Sequence, residues 1–118
     1  MPRYMSLVRI DENSMPAEGP SPELMQRMGE LIEEITKAGV MLETAGLTPT
    51  GQGARVRYEG GKVSVTDGPF TETKEAVGGY AIMQCKDRDE AVEWATRFVK
   101  VHEDFWTVTC EVREIAEG

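Results

Sequence analysis

Two amphipathic helical stretches, each bracketed by strand-like alternation, constrain this chain more than any other feature. In the first, Ser21 stands at the N-cap, Pro22 at the first helical position, and Glu23 in the first turn, where the helix dipole favours negative charge. Leu24, Met28, Leu31, Ile32 and Ile35 recur at helical spacing, Glu30, Glu33 and Glu34 take the other side, and Lys37 and Gly39 close the end. In the second, Asp87 and Glu90 form a capping-box variant ahead of a stripe of Ala91, Trp94, Ala95 and Phe98, with Arg97 and Lys100 in the last turn. Tyr4 to Ile10 and Val40 to Leu47 read as strands around the first helix, Gly79 to Cys85 and Trp106 to Ile115 around the second. Between the halves, Ala54, Val56 and Tyr58 alternate with Arg55 and Arg57, and Val63 and Val65 alternate with Lys62, Ser64 and Thr66. Gly60-Gly61 joins the two runs with hairpin turn chemistry. Asp11 to Pro20, 48–53 and 67–78 read as loops.

This order, β-α-β, hairpin, β-α-β, predicts an α+β, ferredoxin-like split βαβ fold with an inserted β-hairpin: one antiparallel sheet carrying both helices on one face. The 118 residues form one domain, 1–118, long enough to bury roughly two thirds of the surface of the unfolded chain. On the last strand Val108, Cys110 and Val112 share one side and Thr107, Thr109, Glu111 and Arg113 the other, so the apolar set faces the helices. The opposite face needs a cover. A second subunit supplies one, and a homodimer is expected.

Charge narrows the partners. The chain carries 13 Lys+Arg against 21 Asp+Glu for a net −8, and the acidity is spread over both halves. No basic patch serves a phosphate backbone, which argues against nucleic acid as a partner. No run approaches the ~18 to 20 apolar residues of a membrane span, and Met1-Pro2-Arg3-Tyr4 leads into a strand without a signal-like apolar block, so a cytoplasmic location is expected. Cys85 and Cys110 lack CxxC spacing and fall on strands flanking the first, which predicts two free, buried thiols in a reducing compartment. A calcium loop starting at Asp87 needs Gly and Glu where Val92 and Phe98 stand, and one histidine without a cysteine cluster gives no zinc site. Gly51-Gln52-Gly53 precedes a strand and not a helix, so it is a loop and not a dinucleotide fingerprint. No metal and no cofactor is expected. His102, beside Glu103 and Asp104, reads as a solvated residue past a helix C-terminus.

The most informative stretch is Thr66-Asp67-Gly68-Pro69-Phe70-Thr71-Glu72-Thr73-Lys74-Glu75. Asp-Gly-Pro reverses the chain sharply and sets a carboxylate at a strand end. Near Arg55, Arg57 or Lys74, Asp67 has the placement of a general base or a ligand-orienting group. An Asp before Gly also commonly hydrogen-bonds its own turn, and both readings stand at this point.

Val65 to Glu75, followed by Gly78-Gly79-Tyr80, resembles the signature of the DGPF branch of the YCII-related family. Arg3-Tyr4-Met5, Ala38-Gly39-Val40, Arg55-Val56-Arg57, 89–95 and Glu111-Val112-Arg113 resemble that family's pattern too. The resemblance implies a dimeric α+β barrel of two ferredoxin-like protomers with a cleft between sheet and partner. Residue chemistry then predicts a small-molecule enzyme or binding protein whose cleft is lined by Asp67, Arg55, Arg57, Lys74, Tyr80, Glu111 and Arg113: Arg and Lys hold an anionic or phenolic group, and Asp67, the carboxylate at a turn, is the catalytic base. The resemblance also implies a second role of another class, a regulatory module associated with an extracytoplasmic-function sigma factor. The wider family's His and Asp pair is not reproduced, because the single histidine, His102, follows the second helix. Enzyme and binding protein both remain open.

Overall fold

The computed structural model describes residues 1–117. Helix α1 (Pro22–Lys37) starts where the Ser21 hydroxyl accepts the Leu24 amide at 3.0 Å. Helix α2 (Arg88–Lys100) starts on a reciprocal cap, in which Asp87 accepts the Glu90 amide at 2.9 Å and Glu90 accepts the Lys86 amide at 2.8 Å. The apolar stripes bury Leu24, Leu31 and Ile35 from α1, and Ala91 and Ala95 from α2. On the outside, Arg97 of α2 grips the Glu34 carboxylate of α1 with both terminal nitrogens.

The strands are β1 (Arg3–Ile10), β2 (Met41–Gly46), β3 (Ala54–Glu59), β4 (Lys62–Asp67), β5 (Ala76–Gln84) and β6 (Val108–Glu114). Four of them form one antiparallel sheet in the order β2-β5-β1-β6, an α+β architecture compatible with a ferredoxin-like fold. Its helix-facing side contributes Tyr4, Met83 and Val112 to a core shared with Leu31, Ile35, Val40, Cys85 and Ala91. Strands β3 and β4 pair only with each other. Their turn residues Gly60 and Gly61 sit at φ of +60° and +78°, the left-handed geometry that a two-residue hairpin turn demands.

Two strand starts differ from the sequence reading by two residues or more, and other strand ends by one. Strand β5 begins at Ala76 and not at Gly79, because a bulge carries it through the glycines: Val8 faces Gly79, Arg9 faces Val77, and Gly78 is left over. A Cβ on Gly78 would stand 2.8 Å from Cδ1 of Ile10, so this glycine permits the strand to continue and does not end it. Strand β6 begins at Val108 and not at Trp106, whose backbone amide and indole N–H both donate to Glu103, at 3.0 and 3.1 Å, and hold it in a turn.

The molecule measures 45 × 42 × 18 Å with a radius of gyration of 15.9 Å. A compact chain of this length has roughly 13.5 Å. The excess reflects one sheet with a single helix layer, and a hairpin whose residues are all exposed and whose strands pack chiefly on each other. Both cysteines are free, Cys85 buried and Cys110 half-buried. Among the described residues, no helix is long and apolar enough to cross a membrane.

Candidate functional site

Strand register lays out the sheet face turned away from the helices in rows. Glu43, Ile82, Met5 and Arg113 form one row, Ala45, Tyr80, Leu7 and Glu111 the next, and Val77, Arg9 and Thr109 a third. The centre of this face is apolar and its margins are charged. The Tyr80 hydroxyl donates to the Glu43 carboxylate; that bond, followed by burial and the charge of Glu43, raises the phenol above its ordinary value. Arg9 lies between two carboxylates, with Nη1 3.3 Å from Glu111 Oε1 and Nε 4.0 Å from Glu75 Oε2. Its Nε is buried without a hydrogen-bond partner. Arg113 reaches Glu111 from the other side at 3.9 Å.

The Asp-Gly-Pro-Phe segment forms the root of the hairpin. The Gly68 amide donates to the Gly53 carbonyl at 3.0 Å, and the next peptide bond, to Pro69, is cis. A Cβ on Gly68 would come within 1.7 Å of the Thr50 carbonyl oxygen, so only glycine fits. Thr50 in turn donates its amide and hydroxyl to Glu12 at 2.9 and 2.5 Å, and its hydroxyl accepts from the Phe70 amide at 3.4 Å. The Arg55 guanidinium lies 3.9 Å over the Phe70 ring while it donates to Glu72 and, at 3.0 Å, to the Thr73 hydroxyl. The bond from Arg55 holds the Glu72 carboxyl below its usual range. Gly68 and Phe70 therefore fasten the hairpin to the body, and the first loop, through Glu12, takes part in the fastening.

Asp67 stands exposed at the end of β4, paired with Ala54. Among the described residues its carboxylate accepts no hydrogen bond, so the turn does not consume it. Strand alternation puts Asp67 with Val65 and Val63 on one side of the hairpin, and Arg55 and Arg57 on the other. The register thus sets Asp67 and those arginines on opposite sides of the hairpin, where the sequence reading expected them together. Tyr80, Glu111 and Arg113 do share the open face. Each arginine is already paired, Arg55 with Glu72, Arg57 with Glu59 at 2.9 Å, and Arg113 with Glu111. Lys74 is exposed. The sequence reading missed Arg9, Glu43 and Glu75. Period-2 alternation from Met5 and Leu7 carries the signal for Arg9, while the two acids become visible only through long-range pairing.

His102 is not simply solvated. Its half-buried ring meets Phe98 and Trp106 edge-on at 5.3 and 5.7 Å, with Nδ1 3.2 Å from the carbonyls of Phe98 and Val99. No group of three or more His, Cys, Asp or Glu among the described residues is arranged to hold a metal ion.

The pattern of the YCII-related domain matches residues 2–116, which take in the open face, the hairpin and every candidate residue above. The chain belongs to the YCII-related family. A similar protein from Rhizobium meliloti (strain 1021), described as uncharacterized, is 32% identical over 93 residues, covering 79% of this chain and 73% of that protein. For this YCII-related chain the candidate site is thus two surfaces, the open sheet face and the hairpin.

Proposed function

We propose that the chain is a homodimer of the DGPF branch, a dimeric α+β barrel in which a second copy closes over the open sheet face. The cleft so formed binds or transforms a small anionic or phenolic molecule. The observation that supports this reading is the uncovered apolar floor of Met5, Leu7, Tyr80 and Ile82, bordered by Arg9, Glu43, Glu111 and Arg113. An apolar floor with a few convergent polar groups is the ordinary build of a small-molecule site. Arg9 and Arg113 orient a carboxylate or phenolate, and Tyr80 offers a hydroxyl. Asp67, exposed and free of internal hydrogen bonds, is the proton acceptor, which requires it to come within ~3 Å of the proton it takes. Lys74 follows it on the same segment. Arg55 and Arg57 form the cationic side of the hairpin, and the contacts of Arg55 with Phe70 and Thr73 give it a positioning role for that segment.

A thermal-shift screen of wild type and Asp67→Asn against phenols and carboxylates tests the reading. Wild type is expected to gain melting temperature with at least one compound, and Asp67→Asn to melt normally alone but lose the gain or the turnover. No shift with any compound, together with salt-sensitive, stoichiometric capture of an extracytoplasmic-function sigma factor, would favour the regulatory module instead.

A further inference from the structure

We propose that a cavity between the proline-rich loop ahead of α1 and the turn after α2 binds a small quaternary ammonium compound. The cavity shares no residue with the open sheet face or the hairpin, so the inference is independent of the function proposed above. It measures about 430 Å³, within the usual range for small-ligand pockets. The loop side brings Pro16, Pro20 and Pro22 to the lining, and the turn brings Phe105 and Trp106. Phe105 is 62% exposed, and its ring stacks on that of Trp106 with centroids 6.1 Å apart and planes 27° from parallel. Two hydrogen bonds to Glu103, from the Trp106 amide at 3.0 Å and from its indole N–H at 3.1 Å, hold that ring in place. An ordered aromatic wall therefore stands ready with much of one ring open to solvent.

The polar groups of the cavity select the charge of the ligand. The Ser21 hydroxyl donates to Glu103 at 2.8 Å, and the Trp106 indole donates to the same carboxylate, so both side-chain donors are used. The three prolines have no N–H, and the Gly19 amide donates to the Pro16 carbonyl at 3.0 Å. An anion would meet few free hydrogens there and the exposed carboxylate of Glu18. Among the described residues no Lys, Arg or His lines the cavity. The positive end of α1 opens here, but Glu103 on the Ser21 cap and Glu23 in the first turn offset it. Glu103 stays ionised, because the bond from Ser21, foremost, holds its carboxyl below the usual range. Aromatic faces beside carboxylates attract an organic cation. Within that class the lining favours a quaternary centre. Its methyl groups pack on proline and aromatic rings and carry no N–H, whereas a primary ammonium would bring three donors to a cavity whose one uncommitted carboxylate is Glu18.

Titration of 15N-labelled protein with choline, followed at the Trp106 indole N–H, tests the site. Trp94 is the internal reference, and Trp94→Phe assigns the two indole signals. A saturable shift at Trp106 with millimolar affinity is expected. The uncharged isostere 3,3-dimethylbutan-1-ol has the same shape without the charge and should bind at least about fivefold more weakly. Glu18→Gln and Phe105→Ala, both at exposed positions, should each weaken choline binding at least about threefold while circular dichroism stays that of wild type. Equal binding of choline and the alcohol, or an unchanged choline affinity in either folded variant, would overturn the proposal. So would the absence of a saturable Trp106 shift by about 50 mM choline, well above the dissociation constant expected.

Discussion

A Cβ placed on Gly68 would lie 1.7 Å from the carbonyl oxygen of Thr50 and 2.6 Å from its carbonyl carbon. Both atoms are backbone, so nothing nearby can rotate away. Gly68→Ala should cost about 1–3 kcal/mol in urea unfolding, as overpacking of a rigid contact does. Gly53→Ala, whose Cβ would meet the same carbonyl oxygen at 3.5 Å, should cost less. Equal losses at both positions would remove the special role of the Gly68 contact.

Gly29 gives the opposite sign. It lies inside α1 with open space where a Cβ would go, and its φ is not in the left-handed region. Gly29→Ala should stabilise the protein by about 0.5–1 kcal/mol, read by the same unfolding curves.

Burial, followed by the charge of Glu90, pushes the Cys85 thiol up to about 11. Native protein at pH 8 should leave Cys85 unalkylated by iodoacetamide, and unfolded protein should react fully, as peptide mapping would record. A thiol raised in the folded state contributes stability that is fully present below its unfolded value of about 8.5 and is lost as pH rises towards the folded one. Alkaline unfolding should therefore be shallower in Cys85→Ala, compared with each variant's own stability at pH 7.

Three carboxyls are lowered: Glu34 by its bond from Arg97, Glu72 by its bond from Arg55, and Glu103 by its bond from Ser21. A lowered carboxyl contributes stability above its unfolded value, about 4.3, and loses it as pH falls through the folded value. Stability should decline below that pH. Glu34→Gln should flatten the decline, by a modest amount because the pair is exposed.

Removal of the Glu43 charge should lower the Tyr80 phenol towards its ordinary value, since the hydrogen bond to Glu43 is the first cause of its rise. Absorbance titration near 295 nm of Glu43→Gln beside wild type checks this. An unchanged high-pH titration would mean that the two side chains do not meet in solution.

The parts of the fold legible in the sequence are those set by neighbours along the chain. The caps at Ser21 and Asp87, the buried stripes through Leu31 and Ala91, and the Gly60-Gly61 turn each depend on a few adjacent residues. The bulge at Gly78 was hidden because a glycine pair reads as a break until Ile10 is seen against it. The site was less legible. Alternation on β6 placed Glu111 and Arg113 on the open face, yet Arg9 is joined to Glu111 across 102 residues, a relation no local pattern carries. Asp67 and Arg55 looked like neighbours by number, but the pleat turns them to opposite sides of the hairpin.

The central claim is that a second copy covers the open face over Leu7. Sedimentation equilibrium of wild type and Leu7→Glu, with circular dichroism to establish that both are folded, tests it most directly. The account predicts a wild-type dimer and a folded Leu7→Glu monomer, because a carboxylate cannot be buried unpaired in the apolar centre of that face. A monomeric wild type, or a Leu7→Glu dimer as tight as wild type, would contradict it.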